Sequence, residues 1–192
     1  MNLPNRLTIS RIILTFIFIY FISQAGFVAM IIATLIFTLA SLTDLLDGYL
    51  ARKYNMISDF GTLMDPIADK FLILAAFLAF VRMQIIPDWM ALLILGREIL
   101  VTGLRFYAIT KGKILAAERA GKHKTVSQVV AVFFIFGFIL FREILTLLSQ
   151  WTPTIEAWWR GGIDILMLIT LSLTLISGIS YLWNNRRLIH VQ

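Results

Sequence analysis

The sequence contains no cysteine, which excludes disulfide bonds and metal sites built from thiolates. Charged side chains are also scarce, at 15% of the residues against 59% that are hydrophobic. This balance is too apolar for a soluble globular domain. The sequence also lacks a linker, a low-complexity segment and a visible internal repeat. We therefore predict a single membrane domain over residues 1–192.

Six apolar runs approach the length of a transmembrane helix, which is about 20 residues. They are Ile12–Gln24, Val28–Tyr49, Thr62–Val81, Trp89–Thr110, Val126–Leu148 and Ile165–Trp183. The first run is short, and it gains length if residues 7–11 enter the membrane interface. The sequence therefore predicts an all-α integral membrane protein with six transmembrane helices.

The net charge of +6 is unevenly placed along these helices. With a cytoplasmic N-terminus, most lysines and arginines fall in inner segments, and the outer segments hold only Arg82, Arg142 and Arg160. This asymmetry follows the positive-inside rule. It predicts a multi-pass protein of the cell membrane, surrounded by lipids, with both termini in the cytoplasm. The placement of the basic residues gives no reason to expect a nucleic-acid partner.

A cleavable signal peptide is a competing interpretation of the N-terminus. Arg6 and Arg11 precede an apolar run that ends at Ser23-Gln24-Ala25, as in a secretory signal. Removal of this segment would leave five spans and would spoil the charge asymmetry. We therefore expect the first helix to be retained.

Four aspartates lie in segments that are otherwise apolar: Asp44, Asp47, Asp65 and Asp69. Carboxylates are costly in a bilayer, so they need a functional reason to be there. Each pair is spaced by three or four residues and so shares a helix face. A short inner loop, 53–58, makes the two helices antiparallel, and we expect the pairs to meet in a cavity open to the cytoplasm. Carboxylates alone suit two Mg²⁺ or Mn²⁺ ions that would clamp a phosphate-bearing substrate.

Small residues accompany the aspartates on the same predicted helix faces. Gly48, Ala51 and Gly61 would let a bulky group approach the backbone closely. Helix packing alone would explain each of them taken singly. In register with four aspartates, they indicate contact with a substrate.

The complete pattern is Asp44-x2-Asp47-Gly48-x2-Ala51-Arg52-x8-Gly61-x3-Asp65-x3-Asp69. It resembles the signature of the CDP-alcohol phosphotransferase family at every motif position. Outside these residues, Leu3–Arg11, Gly96-Arg97-Glu98 and Gly121–Gln128 resemble one branch, the phosphatidylglycerophosphate synthases. The resemblance implies a six-helix homodimer with a cytoplasm-facing site for two metal ions. It also implies transfer of a phosphatidyl group from CDP-diacylglycerol to glycerol 3-phosphate, with release of CMP.

The resemblance also implies roles for the motif residues. Asp44, Asp47 and Asp65 would ligate metal, and Asp69 would be the catalytic base while also touching a metal. The contacts to the cytidine diphosphate would come from Gly48, Ala51, Arg52 and Gly61. Arg52 is well suited to phosphate, because a guanidinium forms bidentate hydrogen bonds to it.

The acceptor site is predicted from basic residues that follow the signature. Arg97 and Arg105 are eight apart in the fourth helix, and the next inner segment adds Arg119, Lys122 and Lys124. Inner-loop lysines commonly bind lipid headgroups, but an arginine within the bilayer needs a specific partner. That partner is either a nearby carboxylate or the phosphate of a dianionic acceptor such as glycerol 3-phosphate.

Other functions explain less of the pattern. An ion-coupled transporter also carries carboxylates in the membrane, but broken helices or inverted repeats are not visible here. A purely structural scaffold would leave four buried carboxylates uncompensated. Within the enzyme class, the alternative is a sister transferase whose acceptor is inositol phosphate, serine or phosphatidylglycerol.

Overall fold

The computed structural model describes residues 3–54, 59–110 and 119–186, and these residues form six α-helices and no strand. The helices are α1 (Leu3–Ile22), α2 (Phe27–Tyr54), α3 (Asp59–Arg82), α4 (Asp88–Thr110), α5 (Arg119–Leu147) and α6 (Pro153–Asn184). Each predicted apolar run falls on one of them, so the prediction of an all-α chain with six helices is confirmed.

Several helices are longer than the apolar runs that predicted them. The fifth helix begins at Arg119 and not at Val126, and the sixth begins at Pro153 and not at Ile165. Backbone hydrogen bonding continues through polar residues, whereas an apolar run stops at them. The runs therefore mark only the most hydrophobic part of each helix.

The start of α6 has a recognisable local cause. The Thr152 side chain accepts a hydrogen bond from the Ile155 amide at 3.3 Å, which satisfies one of the free donors at a helix N-terminus. Pro153 occupies the first turn, where its fixed φ suits a helix and its missing N–H costs nothing. One turn further, Arg160 Nε donates to Glu156 Oε1 at 2.9 Å. These contacts fix the first two turns of the helix.

Three short turns that connect consecutive helices contain a residue with positive φ. Gly26, between α1 and α2, has a φ of 112°, which glycine adopts without steric cost. Gln84 follows α3 and Ser149 follows α5, each with a φ of 56°. After Ser149, the Gln150 amide donates to the Leu145 carbonyl at 2.8 Å and closes the end of α5.

The chain divides into two compact units. The first unit contains Met1–Arg82 and Phe136–Trp151, so it holds α1, α2, α3 and the end of α5. Its first helix packs against both α2 and α3. Four phenylalanines form its core, with ring centroids 5.4–6.2 Å apart in the contacting pairs: Phe18, Phe37, Phe80 and Phe136. Aromatic pairs at these distances pack efficiently and exclude polar groups.

The second unit contains Met83–Ile135 and Thr152–Gln192, and so holds α4, the start of α5 and α6. In this unit α4 packs against α6. The helices α5 and α6 also meet, because Thr170 Oγ1 donates to the Ser127 carbonyl at 3.3 Å. Phe134 and Trp159 stack 5.0 Å apart near the other end of the same helix pair.

Two helical segments, His123–Leu147 and Pro153–Asn184, are long and apolar enough to cross a membrane by length and composition. Thr8–Ile22 and Phe27–Thr43 are shorter apolar helices. Large aliphatic side chains also point away from the protein, and Ile176 of α6 is 63% exposed. Exposed apolar surface along a helix of this length is typical of contact with lipid.

Candidate active site

The eight signature residues lie on two consecutive helices of the first unit. Asp44, Asp47, Gly48, Ala51 and Arg52 belong to α2, and Gly61, Asp65 and Asp69 belong to α3. Since both segments are helical, spacings of three and four residues place each aspartate pair on one helix face, as predicted. The two helices pack against each other. The side chains of these eight residues lie outside the described part of the structure, so their meeting at one site stays a prediction.

A buried cation lies in the same unit. Arg11 is a residue of α1, which packs against both helices that carry the signature, and its side chain is fully buried. A buried guanidinium is strongly destabilising unless carboxylates or other acceptors surround it. The sequence predicts this residue as an inner-side charge, or as part of a signal peptide, and does not predict its burial.

The second unit contains a buried cluster of charged and polar side chains centred on Glu98. Oε1 of this carboxylate accepts from Arg97 Nη1 at 3.2 Å and also from Lys124 Nζ. Gln128 Nε2 lies 3.4 Å from the same oxygen. The side chains of Arg97, Glu98 and Lys124 are each at least nine-tenths buried. The structure thus brings together two of the five residues predicted to bind the acceptor, and it shows that a carboxylate joins them.

The sixth helix holds the other side of the Arg97 guanidinium. Arg97 Nη2 donates to Ser177 Oγ at 2.7 Å. A Cβ atom added to Gly178 would lie 2.8 Å from Arg97 Cγ, closer than real Cβ atoms approach, so any larger residue there would require Arg97 or α6 to shift. Neither residue was predicted, because a serine and a glycine in an apolar run carry no distinctive signal. Ser177 and Gly178 contact Arg97 only because α6 packs against α4, and the sequence does not show this packing.

The formal charges of this cluster do not balance. Arg97 and Lys124 carry two positive charges, and Glu98 carries one negative charge, so the three side chains together are a net cation in a buried environment. Buried charge of one sign attracts an ion of the other sign. The cluster is therefore suited to an anionic group, although Glu98 already holds both cations in place.

The other predicted acceptor residues are placed by their helices. Arg105 lies on α4, about two turns after Arg97. Its spacing places it on the same helix face as Glu98 and the buried Val101. Arg119 and Lys122 lie in the first turn of α5, and their side chains are outside the described part. Among the described side chains, no group of three or more histidines and carboxylates could hold a metal ion.

Charged side chains in apolar helices, with a carboxylate signature on two of them, are typical of a functional site in a membrane protein. A sequence model of the CDP-alcohol phosphatidyltransferase family matches residues 1–176, and the chain belongs to this family. Together with the apolar helices, this membership indicates a membrane protein.

Relatives in this family are similar over most of the chain. The CDP-diacylglycerol–glycerol-3-phosphate 3-phosphatidyltransferase of Bacillus subtilis (strain 168) is 41% identical over 144 residues, which are 68% of this chain and 74% of that protein. A protein of the same name from Rickettsia bellii (strain RML369-C) is 39% identical over 183 residues, 94% of this chain and 93% of that protein. Another, from Mycoplasma pneumoniae, is 36% identical over 160 residues, 72% of this chain and 70% of that protein.

Members of this family generally depend on a divalent metal ion. The signature fits such an ion, because its four candidate ligands are all carboxylates and hard divalent cations prefer oxygen. Thiolate ligands are ruled out by the absence of cysteine.

Proposed function

We propose that this protein transfers the phosphatidyl group of CDP-diacylglycerol to glycerol 3-phosphate, giving phosphatidylglycerophosphate and CMP. The observation that carries the proposal is the complete eight-residue signature on α2 and α3. The names of the relatives support the choice of substrates, since three of them are called CDP-diacylglycerol–glycerol-3-phosphate 3-phosphatidyltransferase. The net positive cluster around Glu98 supports a phosphorylated acceptor.

In this proposal Asp44, Asp47, Asp65 and Asp69 hold two divalent cations, Mg²⁺ or Mn²⁺. When bound, these ions neutralise the carboxylates and stabilise negative charge on the phosphates of the substrate. Two ions also explain why four carboxylates are tolerated in an apolar segment, where unpaired charge would be costly.

Asp69 acts as the general base. Its carboxylate takes the proton of the acceptor hydroxyl, and that oxygen forms a bond to the phosphorus next to the diacylglycerol. The bond from this phosphorus to the bridging oxygen breaks, and the bridging oxygen leaves as part of CMP. A carboxylate is a weak base, but it suffices when the proton moves as the new bond forms.

The nucleotide lipid is held by residues that lie next to the aspartates in the signature. Gly48, Ala51 and Gly61 have little or no side chain, so the cytidine diphosphate can approach the helix backbone. Arg52 follows Ala51 directly on α2 and donates hydrogen bonds to the diphosphate. These four residues determine recognition of the donor substrate.

The acceptor phosphate is bound by cations of the second unit. Arg97, Arg105 and Lys124 contribute described side chains, and Arg119 and Lys122 complete the set from the first turn of α5. Glu98 keeps Arg97 and Lys124 in place, so that their donors are ordered before the acceptor arrives. A neutral or zwitterionic acceptor would not offset the net charge of this cluster.

The whole chain, residues 1–192, works as one membrane domain in this proposal. Its six helices cross the cell membrane, both termini and the site face the cytoplasm, and two copies form a homodimer. The water-soluble substrate, glycerol 3-phosphate, and the water-soluble product, CMP, then exchange directly with the cytoplasm.

The test is a panel of acceptors offered to the purified protein with radiolabelled CDP-diacylglycerol, with CMP release as the readout. We expect glycerol 3-phosphate to support the fastest release and to yield a lipid with two phosphates. Faster release with inositol phosphate, serine or phosphatidylglycerol would assign the protein to a sister transferase. No release with any alcohol in the presence of Mg²⁺ or Mn²⁺ would overturn the proposed reaction.

A further inference from the structure

Three buried hydrogen-bond donors of the second unit have no hydrogen-bond partner among the described residues. They are the Tyr181 hydroxyl, Arg97 Nε and Arg105 Nε. Buried polar atoms almost always have a partner in a folded protein, so each exception calls for an explanation. All three groups are hydrogen-bond donors, and all three lie on α4 or α6.

Tyr181 belongs to the buried face of α6. Thr174, Ser177, Gly178 and Tyr181 are all buried and follow the spacing i, i+3, i+4 and i+7 of one helix face. Tyr181 itself is 3% exposed. At Ser177 and Gly178 this face contacts Arg97, so the tyrosine lies one turn along the same helix from a contact with α4.

The direction of the two helices places Tyr181 relative to the arginines. Arg160 Nη1 donates to the Gln84 carbonyl at 3.4 Å near the start of both helices, and Arg97 Nη2 donates to Ser177 Oγ further along both. Residue numbers rise together at the two contacts, so α4 and α6 run parallel. Four residues advance a helix by about 6 Å. Tyr181 is therefore level with Val101, between the positions of Arg97 and Arg105 along the helix axis.

The unpaired atom of Arg97 also lies beside α6. A Cβ atom added to Gly178 would be 3.2 Å from Arg97 Nε, so this donor is next to the helix that carries Tyr181. The Nη atoms of Arg97 are engaged by Glu98 and Ser177. The Arg97 Nε–H has no described partner, and it lies beside the α6 face that carries Tyr181 about one turn further along.

We infer that the Tyr181 hydroxyl is a binding residue for the acceptor, donating a hydrogen bond to the same phosphate that Arg97 and Arg105 bind. The inference rests on the proposed function, and it adds a neutral donor to a site predicted from cations alone. A phosphate monoester dianion offers three oxygens, which can accept from three separate donors. An alcohol without the phosphate would leave these buried donors unpaired, which discriminates strongly against it.

The experiment replaces Tyr181 with phenylalanine, which removes only the hydroxyl. A hydrogen bond to a charged group contributes about 1.5–3 kcal/mol, or about 10- to 150-fold. We expect kcat/KM for glycerol 3-phosphate to fall in this range through KM, while KM for CDP-diacylglycerol stays unchanged. The matched control is Tyr20→Phe, at an exposed tyrosine of α1, for which both constants should equal those of the wild type.

A second readout does not depend on turnover. Since the Tyr181 hydroxyl has no described partner, Tyr181→Phe should be at least as stable as the wild type without ligand. Glycerol 3-phosphate should then raise the melting temperature of the wild type and of Tyr20→Phe more than that of Tyr181→Phe. Inorganic phosphate serves as the probe of the anion alone, and the same order is expected.

The outcomes separate this inference from the reaction on which it rests. If the wild type transfers to glycerol 3-phosphate and Tyr181→Phe has a normal KM for it, the inference is wrong and the proposed function stands. If KM for CDP-diacylglycerol rises instead, Tyr181 serves the donor lipid and the inference is also wrong. A wild type that does not use glycerol 3-phosphate overturns the proposed function and the inference together.

Discussion

The candidate site residues of the two compact units differ in the sign of their charge. The first unit holds the four signature aspartates on α2 and α3, whereas the second holds Arg97, Arg105 and Lys124 on α4 and α5. Only the second unit has its charged cluster described, and one carboxylate, Glu98, partly balances it. In the proposed function, this difference corresponds to two tasks: the first unit binds metal ions and the nucleotide lipid, and the second binds the anionic acceptor.

The units also differ in how far their candidate site residues can be recognised from spacing along the sequence. The signature spans two consecutive helices at fixed spacing, so helical periodicity alone indicates which aspartates share a face. The cluster around Glu98 joins residues of α4 and α5, and its Arg97 also contacts Ser177 of α6. In the proposed function, a change in the first unit should affect the chemical step or the binding of CDP-diacylglycerol, and a change in the second should affect use of the acceptor.

The largest effect is expected from the metal ligands. Asp44→Asn, Asp47→Asn and Asp65→Asn should each lower turnover by about 10³-fold or more, because a bound metal ion contributes several kcal/mol of charge stabilisation. The control is Asp164→Asn, at an exposed aspartate of α6, which should keep wild-type turnover. Excess chelator should abolish activity, and Mg²⁺ or Mn²⁺ should restore it. Full activity in excess chelator would show that the first unit does not work through metal ions.

A somewhat smaller effect is expected from the base. Asp69→Asn should lower kcat by about 10²- to 10⁴-fold, the usual contribution of general base catalysis. Binding of CDP-diacylglycerol, measured directly with the inactive variant, should weaken far less. An equal loss of binding and turnover would make Asp69 chiefly a metal ligand, and the base would have to be sought elsewhere.

The smallest effect is expected at Gly178 in the second unit. In Gly178→Ala the new methyl group would displace Arg97, and overpacking of this kind costs about 1–3 kcal/mol. We expect a lower melting temperature and a raised KM for glycerol 3-phosphate. Gly161→Ala is the matched control on the same helix, because no atom lies within 4 Å of the added Cβ. If the two variants have the same melting temperature and the same KM for glycerol 3-phosphate, the close approach of Arg97 to α6 does not affect stability or acceptor binding.

The sequence predicted the helices well because hydrophobic runs report directly on them. It located α6 too late, at Ile165, because the segment before it is rich in polar residues and tryptophan. The cap formed by Thr152 and Pro153 was present in the sequence and could have corrected the start of this helix. Local signals of this kind fix a helix end more accurately than hydropathy does.

The same reasoning from the sequence predicted only part of the candidate site. Spacing identified the aspartates, but it could not show that Glu98 joins Arg97 to Lys124, because that contact depends on how α4 meets α5. Ser177, Gly178 and Tyr181 are ordinary residues of an apolar helix until α6 is placed beside Arg97. Tertiary contacts between distant helices leave no periodic pattern along the chain.

The most direct test of a division between the two units compares one arginine from each. Arg52→Gln and Arg97→Gln remove the same charge, so differences between them reflect their sites. We expect Arg52→Gln to raise KM for CDP-diacylglycerol and Arg97→Gln to raise KM for glycerol 3-phosphate, each by about 10- to 150-fold and with the other constant unchanged. The measurement is a titration of each substrate at saturating concentration of the other. If Arg97→Gln instead raises KM for CDP-diacylglycerol and leaves that for glycerol 3-phosphate unchanged, the assignment of the second unit to the acceptor is wrong.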